Sequence, residues 1–210
     1  MTEFDPDSAE TCRLLEEARA GDGPAFDRLF ARHRPGLRQF VALRLDPRVR
    51  ARLDPSDVVQ ETQLEAYRRL DDFLTRRPMP FRVWLRKTAY ERLLKLRRYH
   101  VETAGRAVGR ELGLADRSSL LLARPLFDRG PSPSQQLARR DLVRRVREAL
   151  AGLAETDREV LLMRTFEGQS FAEVAYVLHL DAATARKRHG RALLRLHKLL
   201  TNDDREESSS

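Results

Sequence analysis

Two stretches of this chain carry the residue types that bind polyanions, and a third carries the opposite charge. In "FRVWLRKTAYERLLKLRRYH", Phe81 to His100, seven Lys or Arg stand against one acid, with Trp84 and Tyr90 interleaved. Cations follow phosphates while bases stack on rings, so this combination suits single-stranded nucleic acid. From Ala182 to Leu200 there are six Lys or Arg and no acid. Ahead of both, "LDPSDVVQETQLEAYRRL", Leu53 to Leu70, collects Asp57, Gln60, Glu61 and Glu65. That stretch would repel a polyanion, and its mixed acidic and apolar surface is of the kind that meets another protein. Catalytic chemistry has no comparable signal. His33, His100, His179, His189 and His197 are scattered without metal-ligand spacing. There is no glycine-rich phosphate loop and no clustered carboxylate pair. No catalytic residue, metal or cofactor is expected, and the chain is not read as an enzyme.

The elements that must position these residues are helices. Apolar residues recur at helical spacing from Phe26 to Leu45, and no strand alternation or internal repeat is found. A first helix is expected around Ala9 to Ala20, ending at Gly21-Asp22-Gly23. Asp54 and Pro55 supply a cap and a first-turn proline for a helix running to about Leu74. Its inward stripe is Val59, Thr62, Ala66, Leu70 and Phe73; Asp57, Glu61, Leu64 and Arg68 lie opposite, with Gln60 and Glu65 at the edges. After the breaker "TRRPMP", the basic helix from Phe81 to about His100 turns Leu85, Ala89 and Leu96 inward. It turns Lys87, Tyr90, Leu94, Arg97 and Arg98 outward, and Phe81 and Trp84 are read as core.

Farther on, Thr156-Asp157-Arg158-Glu159 and Ser170-Phe171-Ala172-Glu173 both read as capping boxes, and Asp181 caps a third start. "SFAEVAYVL" and "AATARKRHGRALLRLHKLL" are then two helices separated only by His179 to Asp181. A capped helix, a tight turn and a basic helix spell helix-turn-helix. Ala185, His189, Ala192, Leu193 and Leu196 project toward Val174 and Val177 of the first helix. Ala183, Thr184, Lys187, Gly190 and Arg191 project away, flanked by Arg186 and Arg188, a face that fits a major groove. Gly190 reads equally as a point of close backbone approach to DNA or as a tolerated helical glycine.

The fold class is all-α: two small helical domains joined by a long linker, with the helix-turn-helix in the second. The segments are an acidic leader and first helix (1–20), a helical domain (21–100), a linker (101–136), the second domain (137–200) and an acidic tail expected to be disordered (201–210). The linker holds four glycines and three prolines, including "GPSPS". Its apolar "SSLLLARPLF" is expected to dock on something. A net charge of +8, carried mostly by arginine, points to nucleic acid. The single Cys12 allows no internal disulfide. No signal peptide or membrane span is read, so a cytoplasmic location without membrane contact is expected.

On these residues the chain resembles a known family. Asp57-Val58-Val59-Gln60-Glu61-Thr62 resembles the D-x-V-Q-E motif of region 2 in bacterial sigma factors of the sigma-70 family. "FRVWLRKTA" resembles the F-x-x-W-L-x-x-I-A segment that follows it, and "LAETDREVLLMRTFEGQSFAEVAYVLHL" resembles the region 4 pattern. Covering roughly 20–100 and 137–200 with only these two domains, the chain is most similar to the extracytoplasmic function group. The resemblance implies a transcription initiation factor that directs core RNA polymerase to promoter DNA. Asp57, Gln60, Glu61, Leu64 and Arg68 would meet the β′ clamp helices, with the β flap as a further contact. The loop Thr75–Pro80 and Arg86, Lys87, Tyr90, Glu91, Arg97 and Arg98 would melt and read the −10 element on the non-template strand. Ala183, Thr184, Arg186, Lys187, Arg188 and Arg191 would read the −35 element. An anti-sigma protein is a further implied partner, and the linker would thread toward the polymerase active site.

Against the family pattern, Glu91 stands where many relatives carry Asn, and His179 replaces the usual turn glycine. Ala183, Ala185, Lys187 and His189 also depart from it. "RLDPRVRARL", Arg44 to Leu53, is longer than the usual connection and has no assigned role. The competing reading is a stand-alone helix-turn-helix regulator, which leaves the Asp57–Glu61 face and the basic aromatic helix unexplained.

Overall fold

A computed structural model describes residues 4–45, 54–104, 144–146 and 148–207, and every regular element among them is helical. The chain divides into two compact units, Met1–Leu114 and Ala115–Ser210. "SSLLLARPLF" and most of the expected linker lie outside the described residues, as do 46–53 of the long connection.

In the first unit, α1 (Ala9–Arg19) is capped by Ser8, whose Oγ accepts the Thr11 N–H, and the chain turns at Gly21 with φ +90°. Next, α2 (Gly23–Arg44) buries Phe26, Leu29, Phe30, Leu37, Phe40 and Val41 at the spacing read from sequence. Pro35 is tolerated inside it.

The third expected helix is in fact two, α3 (Pro55–Arg68) and α4 (Leu70–Arg76), because Arg69 leaves helical geometry at φ −105°, ψ 6°. The break re-aims the last turns so that Leu70, Phe73 and Leu74 all enter the core. Arg77 ends α4 in the left-handed region, φ 33° and ψ 53°, a conformation costing a non-glycine residue about 1 kcal/mol. Its N–H donates to the Phe73 carbonyl at 2.7 Å. Pro78, Met79 and Pro80 follow, with Met79 buried, and α5 (Phe81–Ala104) completes the unit. Helix α2 packs on α1, α3 and α5, and α3 packs on α5.

Phe81, Trp84, Leu85 and Ala89 are buried on α5, as expected. Tyr90 corrects the projection: it is only 9% exposed, and Leu93 beside it is buried too. Leu96, placed inward, is half-buried. The cause is that α5 touches both α2 and α3, so its buried face is wider than a single stripe.

In the second unit, residues 144–146 and 148–151 are helical and precede α6 (Glu155–Leu161). The first expected capping box does not form. Helix α6 starts two residues earlier, from Ala154 without a side-chain cap, and Glu159 is fully buried. A π-helical turn, Leu162–Phe166, continues α6 and was not anticipated. The Ser170–Glu173 box does form at the head of α7 (Phe171–Leu178): the Glu173 N–H donates to Ser170 Oγ and the Ser170 N–H to Glu173 Oε2.

Helix α8 (Ala182–Glu207) is longer than expected. The segment from Thr201 through Glu207, read as disordered, extends it, since no Gly or Pro follows Gly190 within the helix. Val174, Val177, Ala185 and Ala192 are buried where α7 meets α8. Leu193, expected in that seam, is 41% exposed, because small Ala185 and Ala192 carry a narrow contact line and Leu193 lies about 100° around the helix from Ala192.

Ser170→Ala should lower stability by about 1 kcal/mol through loss of the cap. Thr156→Ala, at the box that does not form, should stay within about 0.5 kcal/mol. Chemical denaturation of the two variants beside the parent checks both.

Candidate protein and nucleic-acid interfaces

The acidic face of α3 begins with its own cap. Asp54 Oδ1 accepts the Ser56 N–H at 2.7 Å, and Asp57 Oδ2 accepts the Asp54 N–H at 3.1 Å. The bond from the Ser56 backbone holds the Asp54 carboxyl below its usual range. Asp57, singled out as a partner contact, therefore also holds the helix start. Glu61, the other acid of the motif, is bound by Arg92 of α5 in an ion pair of 2.5 Å. Gln60 and Arg68 are exposed.

Leu64 is 60% exposed and Tyr67 61% exposed. Both line a groove of about 370 Å³ between α2 and α3, with Phe26, Asp27, Gln60 and Gln63 as the other walls. Gln63 Nε2 donates to Asp27 Oδ1 at 3.2 Å, and the Tyr67 ring meets Phe26 edge-on at 5.2 Å. Gln63 and Tyr67 escaped the sequence reading. Tyr67 sits three residues beyond Leu64, and that spacing on one helix face was the signal available.

On α5, Arg86 and Lys87 are half-buried, and Arg98 is exposed. Arg97 lies on the same helix. A cleft of about 150 Å³ between α2 and α5 is lined by Arg32, His33, Arg82 and Arg86. Burial makes the His33 ring a weaker base than usual. Glu91, the acid among these cations, pairs with Arg69 at 3.3 Å. Because the pair is partly exposed it adds little stability, but it offsets a negative charge on a basic face. Tyr90 is not available as an open stacking ring.

In the second unit the turn between α7 and α8 is made by His179 at φ 55°, ψ 46°, with Leu180 and Asp181. The left-handed residue is thus a histidine, which tolerates that region better than most. Asp181 caps α8: its Oδ1 accepts the Thr184 N–H at 2.7 Å and its Oδ2 the Thr184 hydroxyl at 2.6 Å. The Thr184 hydroxyl bond holds the Asp181 carboxyl low. Ala183, Arg186, Lys187, Gly190 and Arg191 are exposed. A Cβ on Gly190 would meet nothing within 4 Å, so no packing inside the unit calls for a glycine there.

Arg188 departs from the outward projection. Its Nη1 donates to Asp157 Oδ1 of α6 at 2.8 Å, which ties α8 to α6. The unanticipated π-helical turn builds the neighbouring wall. Thr165 and His189 share a hydrogen bond of 3.0 Å, and the guanidinium groups of Arg164 and Arg186 lie 4.8 and 5.2 Å from the Phe171 ring.

Two basic faces on two helical units, with a partly acidic apolar groove on the first, now stand beside comparisons with known proteins. The family model for sigma-70 region 2 matches residues 29–102, and that for sigma-70 region 4 matches residues 143–196. The RNA polymerase sigma factor CnrH of Cupriavidus metallidurans is 34% identical over 201 residues, covering 95% of this chain and 98% of that protein. The chain belongs to the extracytoplasmic function group of the sigma-70 family. The ECF RNA polymerase sigma factor BldN of Streptomyces coelicolor is 28% identical over 206 residues, 96% of this chain and 70% of that one. A solved structure of CnrH in complex with the cytosolic domain of CnrY superposes with a TM-score of 0.62 at 28% identity, covering 93% of this chain and 99% of that one. The sigma factor directs RNA polymerase to promoters, with region 2 in the first unit and region 4 in the second. Among the described residues, no helix is long and apolar enough to cross a membrane.

His189 gives this sigma factor a pH signature. Burial and then Arg164 lower its affinity for a proton. Below the unfolded value of about 6.5, the unfolded chain takes up a proton that the folded chain refuses, so this contribution to stability falls as pH falls. Thermal unfolding of the full chain at pH 7.5 and 5.5 should show the loss, and His189→Gln should shrink it.

Proposed function

We propose that the α3 face of this sigma factor docks on the β′ clamp helices through Asp57, Gln60, Glu61, Leu64 and Arg68, joined by Gln63 and Tyr67. The observation that carries this reading is the groove flanked by Leu64 and Tyr67, two large apolar side chains left in solvent beside acids. Exposed apolar anchors ringed by polar residues are where binding energy concentrates. The β flap is the second polymerase contact.

In the same reading, the loop Thr75–Pro80 and α5 open and read the −10 element. Arg86, Lys87, Arg97 and Arg98 follow the phosphates, and Glu91, offset by Arg69, borders the bases. Tyr90 supports this face from its buried side rather than by stacking on an open base. The first turns of α8 enter the −35 major groove with Ala183, Thr184, Arg186, Lys187 and Arg191, and Gly190 admits close backbone approach. Arg188 holds α8 in place through Asp157. The chain works in the cytoplasm without catalysing a reaction itself, and the likeness to CnrH bound to CnrY supports an anti-sigma partner.

The test is binding of purified core polymerase to the full chain, comparing the parent with Leu64→Ala/Tyr67→Ala. This pair is preferable to Asp57→Ala, which would also remove the α3 cap. Loss of the anchors should weaken binding by about 2 kcal/mol, roughly thirtyfold in Kd, with unchanged helix content. A parent chain that ignores core polymerase yet binds duplex DNA would instead favour the stand-alone regulator.

For the −35 reading, Arg191→Ala should weaken duplex binding by the holoenzyme and reduce the salt slope by about 1. Binding measured across a salt series reads this directly.

A further inference from the structure

The residues before α2 lie outside the region 2 match, which begins at residue 29. They nevertheless hold both ends of the Arg77–Pro80 connection, the part of the expected Thr75–Pro80 loop that lies outside α4. At its start, Arg77 takes the left-handed conformation, and its Nη2 pairs with Glu16 of α1 at 2.8 Å. At its end, the Phe81 N–H that opens α5 donates to Asp7 Oδ2 at 2.7 Å, across 74 positions of sequence. One residue on, Arg82 Nη2 donates to the Asp5 carbonyl at 3.1 Å and lies 3.6 Å from its carboxylate. Arg32 Nη2 reaches Ser8 Oγ at 3.4 Å, which fastens the same segment to α2.

Helix α5 needs this help because its own sequence supplies no side-chain cap. Pro80 offers only its carbonyl, which accepts from Val83 and Trp84. Its ring carries neither hydroxyl nor carboxylate to accept an end-of-helix N–H. Asp7 supplies that acceptor from the far end of the unit. The loop it closes off is stiff: Pro78 and Pro80 flank a buried Met79, and Arg77 is strained. A strained residue persists where its surroundings over-determine it. Here the surroundings are α1 and the segment before it.

We propose that Asp5–Ser8 and α1 form a brace that sets the shape of the Thr75–Pro80 loop and the first turn of α5, with Asp7 and Glu16 as positioning residues for −10 recognition. The inference rests on the reading that this loop meets the −10 strand. It adds that base preference there depends on residues that never touch DNA.

The experiment uses holoenzyme assembled from the full chain and core polymerase. Fork-junction DNA, randomised over the −10 element, is selected by the parent, by Asp7→Ala/Glu16→Ala and by Asp7→Asn. The double variant should lose base preference at one or two positions and about tenfold in enrichment of the best sequence, near the low end of what one lost base contact costs. Core polymerase binding should not change. Asp7→Asn keeps an oxygen that accepts the Phe81 N–H and should select the parental motif.

An unchanged motif in the double variant would overturn the brace, and so would an Asp7→Asn variant as impaired as the double one. Amide hydrogen exchange on the same proteins adds a second readout. Faster exchange confined to residues 77–84 supports the brace. Loss of protection throughout α2 and α3 would mean that these residues merely hold the unit together, and would overturn it. A parent holoenzyme that selects no −10 motif would overturn the loop's reading role, and the brace with it.

Discussion

Phe81 is where the first unit is tied together. Its ring is fully buried and meets His33 of α2 at 5.3 Å, Phe73 of α4 at 5.6 Å and Trp84 of α5 at 5.6 Å. Phe73 and Trp84 stack in turn at 4.6 Å. Such ring contacts add to the area they bury and constrain relative orientation. Because the same residue's N–H is held by Asp7, one position fixes the register of α5 against α2, α4 and the leader. The basic residues of α5 inherit their placement from that point.

A second constraint is how negative charge is offset on the basic faces of α5 and α8 without removing the acids. Glu91 is offset by Arg69, Asp157 by Arg188, and Asp181 caps α8 through Thr184. The two ion pairs are partly exposed and add little to stability, but each of the three acids has a job inside its own unit. The acids of α3 differ only in part. Asp57 caps its helix and Glu61 holds Arg92, so the open part of the α3 face is its apolar component, Leu64 and Tyr67.

In the second unit the helix-turn-helix is set by local chemistry at both ends of the turn. The reciprocal Ser170–Glu173 box starts α7, His179 accepts the left-handed conformation, and Asp181 starts α8. Ala185 and Ala192 then let α8 approach Val174 and Val177. The π-helical turn at Leu162–Phe166 sets Thr165 against His189 and leaves Arg164 beside Phe171.

What the amino-acid order determined by itself was whatever depends on near neighbours. The Asp54–Pro55 start, the Ser170 box, the three-residue turn and the inward stripe from Val59 to Phe73 are all encoded within a few residues. The family motifs were legible for the same reason. Tertiary structure decided whatever depends on a second helix. Tyr90 is buried because α5 has two neighbours, Arg188 turns inward because Asp157 waits on α6, and the Thr156 box fails as Glu159 is drawn into the core. Helical projection assigns one inward direction to a helix, whereas burial is set by every element packed around it. The Asp7 cap on Phe81, 74 positions away, is the extreme case: nothing in the periodicity of either segment encodes the other's place in space.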